Sequence, residues 1–230
     1  MVSKERIRDE LFKLLEDLKA NNNREWFKAN KQRYDQSIKE PALAFISDFS
    51  PHLQQISRAF KADPRPVGGS LFRINRDTRF AKDKSPYKTN TGLHFRHVAG
   101  KDAHAPGFYL HLEPGSCFAG VGIWHPDTKT ANKIREAIGA DDGKAWKKAT
   151  GSKRFRETYQ LMGESLKRPP KGFAPDHPFI EDLKRKDFIG SVTLSQQQIT
   201  AKDFLEQYAA LCRAGRPFVE FLCHAIGVDF

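Results

Sequence analysis

Two groups of residues in this 230-residue chain carry chemistry by type and spacing. The first is a basic run from Arg76 to Thr89, holding Arg76, Arg79, Lys82, Lys84 and Lys88, with Arg73 just upstream. Arginine offers paired planar donors and lysine a mobile point charge, and both suit phosphate or carboxylate oxygens. Asp77 and Asp83 are placed to steady these cations, while Ser85, Tyr87 and Thr89 add hydroxyls. A solvated, lysine-rich connection guarding a sheet edge would have a similar composition. The second group is His94, Arg96, Tyr109, His111 and Glu113, with Gly120 and Gly122 leaving space and Trp124 supplying a ring. A possible acid or base, an anion binder and an aromatic surface are what a small-molecule site uses. His111 and Glu113 are the candidates for proton transfer. Arg73, Arg76, Arg79, Lys82, Lys84, Lys88, His94 and Arg96 are the candidates for ligand binding, with Tyr87, Tyr109 and Trp124 shaping the site.

The elements that must position these residues follow from hydrophobic period. Side chains at alternate strand positions share a face. In SLFRIN (70–75), TGLHFRHV (91–98), GFYLHLE (107–113) and CFAGVGIW (117–124), alternation sends Phe72, Ile74, Leu93, Phe95, Phe108, Leu110, Leu112, Val121 and Ile123 to the core. The other face then carries Arg73, Asn75, His94, Arg96, Tyr109, His111, Glu113, Phe118 and Trp124. The sheet is expected to be antiparallel, with one apolar and one polar face. Before it, Ile7, Leu11, Leu14, Leu15 and Leu18 recur at helical spacing in an opening amphipathic segment. Asn23 suits the N-cap of a second helix and Pro41 the first turn of a third. After it, residues 142–163 read as helical and Phe188 to Leu194 as one more strand. Thr200 with Asp203 fits the start of a helix, and Pro217 the start of a last one. The expected fold is α+β in a single domain over 1–230: helical over 1–62, antiparallel sheet over 66–125 and mainly helical over 126–230.

Lys and Arg number 39 against 28 Asp and Glu, for a net charge of +11 and a pI near 9.6. The excess is local. Residues 65–101 hold nine cations against two acids and residues 129–171 twelve against five, while the remainder is slightly acidic. A focused positive field indicates an anionic partner. A small anionic ligand is the first expectation; a nucleic acid, held by its backbone with bases on Phe80, Tyr87, Phe95, Tyr109 and Trp124, is the alternative. A scaffold meeting an acidic protein is a third reading. No apolar run approaches a membrane span, and the opening segment is not a signal peptide, so a cytoplasmic location is expected. Cys117, Cys212 and Cys223 lie far apart with no C-x-x-C, which reads as core thiols rather than disulfides or zinc ligands. His111-Leu112-Glu113 lacks the cysteine pair of zinc deaminases, and His125 with Asp127 and Asp176 with His177 are explained by turns, so no metal is assigned. Neither a nucleophile elbow nor a phosphate loop is present, and the sequence names no cofactor.

The stretches NNNREWFKANKQRYDQSIKEP, RDTRFAKDKSPYKTN, GFYLHLEPGSCFAGVGIWHPD and APDHPFIEDLKRKDF together resemble the bacterial and fungal family catalogued as domain of unknown function 2461. The resemblance spans nearly the whole chain in the same order. Its basic signature falls on Arg76, Asp77, Arg79, Phe80, Lys82, Asp83, Lys84, Pro86, Tyr87 and Lys88, and its hairpin signature on Tyr109, Leu110, Pro114, Gly115, Gly120, Gly122 and Trp124. Val121 departs from a glycine in the family pattern, which implies less room at the hairpin. The resemblance implies a single domain and supplies no catalytic residues.

Overall fold

Leucines at helical spacing open the fold in the computed structural model, which describes residues 7–100 and 104–230. The first six residues of the expected opening segment lie outside the described residues. Helix α1 (Asp9–Ala20) buries Leu11, Leu14, Leu15 and Leu18 on one side. Asn23 caps α2 (Arg24–Ala29) as expected, its side chain accepting from the Trp26 N–H at 2.9 Å. The chain continues through α3 (Lys31–Tyr34) and a π-helical turn (Asp35–Lys39) into α4 (Glu40–Ile56), with Pro41 in the first turn. Phe45, Ile46, Phe49 and Leu53 form the buried side of α4.

Three of the four expected hairpin segments are strands: β1 (Thr91–Arg96), β2 (Gly107–Leu112) and β3 (Cys117–Ile123). SLFRIN is not a regular strand. It lines the outer edge of β1 through one isolated bridge, Leu71 with Leu93, and a second bridge, Asn75 with Tyr87, lies within the basic hairpin. Its alternation breaks with its backbone: Leu71 and Ile74 are buried, whereas Phe72, expected in the core, is half-buried beside the rings of His94 and Tyr109.

The C-terminal half contains α5 (Thr128–Gly139), a 3-10 turn (Ala140–Gly143), α6 (Lys144–Gly151) and α7 (Lys153–Thr158). Strand β4 (Gln160–Met162) follows, where helix was expected, then α8 (Ile180–Leu183) and the expected strand β5 (Phe188–Leu194). Thr200 ends α9 (Gln196–Ile199) instead of capping the next helix, donating its hydroxyl to the Gln196 carbonyl at 3.1 Å. The last helix, α10, runs unbroken from Phe204 to Ile226 with Pro217 inside it. Proline removes one helical hydrogen bond. Burial of Tyr208, Cys212, Phe218, Val219 and Leu222 along the same helix keeps it continuous.

The five strands are all antiparallel in the order β1-β2-β3-β5-β4. Helices α4 and α10 pack together over the apolar face, where Phe49 lies 4.6 Å from Phe95 and 4.9 Å from Tyr208 between ring centroids. Val121 points into this core against Gly190 and Gly215, so its bulk is on the side away from the polar face. The three cysteines are free and buried, and burial pushes the Cys223 thiol up to about 12.

Gly122 has φ 121°, and a Cβ there would sit 2.0 Å from the Phe188 carbonyl oxygen. Gly122→Ala is therefore expected to cost about 1–3 kcal/mol in backbone strain alone, with the clash added. A lowered urea midpoint checks this; an unchanged one would contradict the pairing of β3 with β5.

Candidate functional site

Register decides which polar side chains meet. Gly92 pairs with His111, His94 with Tyr109, Tyr109 with Gly120 and His111 with Phe118. This face is open: Tyr109, His111, Phe118, Gly120 and Ser191 are half-buried and Thr193 is exposed. Two glycines admit its larger groups. A Cβ on Gly92 would meet the Tyr109 hydroxyl at 2.4 Å, and one on Gly107 would meet His94 Nε2 at the same distance.

Tyr109, His111 and Glu113, the expected trio on β2 and its exit, form a hydrogen-bonded chain. Tyr109 Oη lies 3.0 Å from His111 Nδ1, and His111 Nε2 lies 3.2 Å from Glu113 Oε2. The Thr89 hydroxyl donates to Glu113 Oε1 at 3.3 Å, which ties the base of the basic hairpin to the same carboxylate. An ionised carboxylate can only accept, so Nε2 donates to Glu113 and Nδ1 accepts from the phenol. Phe118 stacks on the imidazole at 4.6 Å and keeps it in plane with this chain. Burial pushes the Tyr109 phenol up to about 12, with the Glu113 charge adding to the effect. Tyr109 thus keeps its proton and donates it in a hydrogen bond to a histidine that a carboxylate holds in turn.

The basic run is the tip of an irregular hairpin. Arg76 N–H donates to Pro86 O at 2.9 Å and Lys88 N–H to Ile74 O at 2.8 Å. Its guanidinium groups are already engaged: Arg79 grips Asp77 through two bonds of 3.0 and 2.7 Å, and Arg76 pairs with Asp83. Side-chain bonds from Arg79 hold the Asp77 carboxyl near 2, and bonds from Ser85 and then Arg76 hold Asp83 well below the usual range. Lys84 donates to Thr78 O at 2.9 Å, and Lys82 is exposed.

Lys88 and Arg73 stand apart from this pairing. Neither makes an ion pair among the described residues, and Lys88 Nζ sits 5.4 Å from the centre of the Phe72 ring. That ring lies 5.9 Å from both Tyr109 and His94. Burial, and secondarily the nearby Arg73 charge, lower the Lys88 pKa. Phe72 therefore joins the two cations to the tyrosine end of the relay.

Three expected site residues fall elsewhere. Tyr87 is buried, its ring stacked on Phe27 at 4.1 Å, and Asn22 clamps its backbone with bonds of 2.9 and 3.1 Å. It anchors the hairpin from the core side. Arg96 donates to Gly68 O at 3.1 Å and lines a small cleft of about 70 Å³ with Lys61, Asp63, Arg65 and His97. Trp124 is half-exposed past the end of β3, at the opposite end of the sheet from the hairpin. Phe72 and Asn22 were missed. Phe72 was assigned to the core by alternation, and the Asn21-Asn22-Asn23 run was the only trace of the clamp. Among the described residues, no group of three or more His, Cys, Asp or Glu is arranged to hold a metal, and no helix is long and apolar enough to cross a membrane.

A family model described as a conserved hypothetical protein matches residues 10–221. No curated protein and no solved structure gives a match.

A raised phenol pKa means the folded chain holds the proton of Tyr109 more tightly than the unfolded chain, whose phenols titrate near 10. Its contribution to stability is full below pH 10 and is lost as pH rises from 10 to about 12. Melting temperature should fall across that window, and Tyr109→Phe should reduce the fall. An unchanged pH profile in Tyr109→Phe would contradict the burial described.

Proposed function

Because the chain belongs to the conserved hypothetical protein family DUF2461, its activity has to come from its own side chains, and we propose that it binds a small phosphorylated or carboxylated ligand. The ligand would sit where the basic hairpin meets the polar sheet face. The observation that carries this reading is the pairing state of the cations. Arg76 and Arg79 are matched within the hairpin, whereas Lys88 and Arg73 are near one another and neither makes an ion pair among the described residues, Asp77 acting on Arg73 only at longer range. A half-buried ammonium beside a second cation is held at a cost that an anion would remove. Arg73 would supply a planar fork and Lys88 a point charge, with Phe72 and Tyr109 closing the apolar side. Lys82 and Lys84 would draw the anion in from the tip, and His94, beside Phe72 and Tyr109, would border the site along β1.

Proton transfer at such a ligand would fall to the Tyr109 hydroxyl. Its oxygen would take a proton from the ligand as its own proton passes to His111 Nδ1, and Glu113 would stabilise the imidazolium so formed. His111 and Glu113 would then act through Tyr109 and not on the ligand directly.

Nucleic-acid binding is a second reading, and Phe80 favours it. This ring is 96% exposed at the hairpin tip with the Arg79 guanidinium 5.9 Å from its centre. An exposed ring among cations suits base stacking on a single strand.

Thermal shift with inorganic phosphate, a nucleoside monophosphate, a phosphosugar and a dicarboxylate separates the two. A bound anion at a hundredfold excess over its Kd should add about 2.7 kcal/mol, roughly 5–10 °C for a chain of this size. Lys88→Met should remove the ligand's shift while leaving the ligand-free protein as stable or more so, because it deletes a charge that the fold disfavours. Loss of the shift on Phe80→Ala with Lys88→Met silent, together with a steep salt dependence on a single strand, would favour the nucleic-acid reading. No shift with any of the four anions would overturn the small-ligand reading.

A further inference from the structure

At the sheet end away from the hairpin, β3 runs out into Trp124 and His125. His125 has φ 46°, left-handed for a residue that is not glycine. A buried carboxylate holds it there. Asp187, 2% exposed and just before β5, accepts the His125 backbone N–H at 2.8 Å and His125 Nδ1 at 2.6 Å on one oxygen. Its other oxygen accepts the Glu164 N–H at 2.9 Å. Gly163, with φ 110°, makes the space, since a Cβ there would come within 2.4 Å of Asp187 Cβ. The two backbone bonds alone would staple this turn. The imidazole bond is additional to them, and it sets the ring.

A carboxylate accepts and does not donate, so Nδ1 carries a proton, and in the neutral ring Nε2 keeps its lone pair. The His125 side chain is 45% exposed, and Nε2 makes no hydrogen bond among the described residues. Trp124 lies 4.3 Å away, nearly parallel, and is itself half-exposed. Two ion pairs are made at this end among the described residues: Lys186 with Glu164 at 3.0 Å, and His125 with Asp187. Among the described residues this end therefore presents a directed proton acceptor beside the Trp124 ring, on which the His104 ring also stacks at 5.8 Å. Strained backbone at a residue of this kind is common at functional sites.

We propose that His125 and Asp187 form a proton-accepting dyad that activates water against the carbonyl of a neutral ester bearing an apolar group, which Trp124 would cover. Nε2 takes a proton from water as the water oxygen bonds to the carbonyl carbon. The imidazolium then returns that proton to the leaving oxygen as the ester C–O bond breaks, giving a carboxylic acid and an alcohol. Asp187 stays ionised and holds Nδ1–H throughout, as a positioning residue. The site is separate from the anion-binding face and does not depend on it.

Two measurements on the full chain test this: release of p-nitrophenolate from p-nitrophenyl acetate, and carbethoxylation by diethyl pyrocarbonate mapped to each histidine. His125 should react at least tenfold faster than the exposed His224, and His125→Gln should lower ester hydrolysis by about tenfold or more while His224→Gln leaves it unchanged. Asp187→Asn, with folding followed by circular dichroism, should slow carbethoxylation at position 125, because the amide favours the other imidazole tautomer. If Asp187→Asn does not fold, the two histidine variants decide the matter alone. Equal reactivity of His125 and His224, or hydrolysis unchanged in His125→Gln, overturns the proposal.

Discussion

Burial of Phe95, Phe108 and Leu110 under α4 and α10 sets the register of the hairpin strands, and every polar contact on the opposite face follows from that register. A slip of one residue would turn His94, Tyr109 and His111 into the core and expose three apolar side chains in their place. The aromatic cluster of Phe49, Phe95 and Tyr208 opposes such a slip, since removing a large buried ring typically costs about 3–5 kcal/mol. The Tyr109–His111–Glu113 chain thus rests on packing from the other side of the sheet. Gly92 and Gly107 complete it by letting two rings lie flat against the backbone.

Electrostatics at the hairpin follow from local pairing more than from net charge. Exposed ion pairs contribute little to stability, yet Asp77 and Asp83 determine which cations remain available. By engaging Arg79 and Arg76 they leave Lys88 and Arg73 at the foot of the hairpin, with Lys82 and Lys84 at its tip, outside any ion pair among the described residues. The foot is also where the hairpin is most firmly held, by Asn22 on the Tyr87 backbone and by Tyr87 on Phe27. Charge on a well-anchored segment can be directed at one ligand position, whereas charge on the tip is spread over solvent.

The two ends of the sheet are chemically distinct. One gathers unpaired cations and a tyrosine-led relay. The other places His125, its carboxylate partner and an indole near the ion pair of Lys186 with Glu164. Both ends use an imidazole whose tautomer is set by a carboxylate, but His111 has both ring nitrogens engaged and His125 only one. The first suits relay through a neighbour and the second direct proton capture.

Much of this was legible from residue order. A short apolar run located β5, and period-two alternation located β1, β2 and β3 and put His94, Tyr109, His111 and Glu113 on one face, because strand geometry allows no other arrangement once Phe95, Phe108 and Leu110 are buried. Asn23 before Arg24 marked a helix start through a contact three residues long. The failures are all long-range. Pro217 reads as a helix start, yet the core along α10 carries the helix through it. SLFRIN alternates like a strand, yet it bridges β1 only at Leu71 with Leu93, and Phe72 turns from the core to the site. Tyr87 looked like a site residue until packing sent it inward, while Trp124 lies at the end of the polar face away from the basic run, where alternation places it. Sequence by itself determined the α+β class, the family, the basic hairpin and the polar face, since each depends on neighbours in the chain. Only the tertiary structure decided which cations stay unpaired and that Asp187 meets His125 across 62 positions, because both depend on which distant carboxylates fold alongside them.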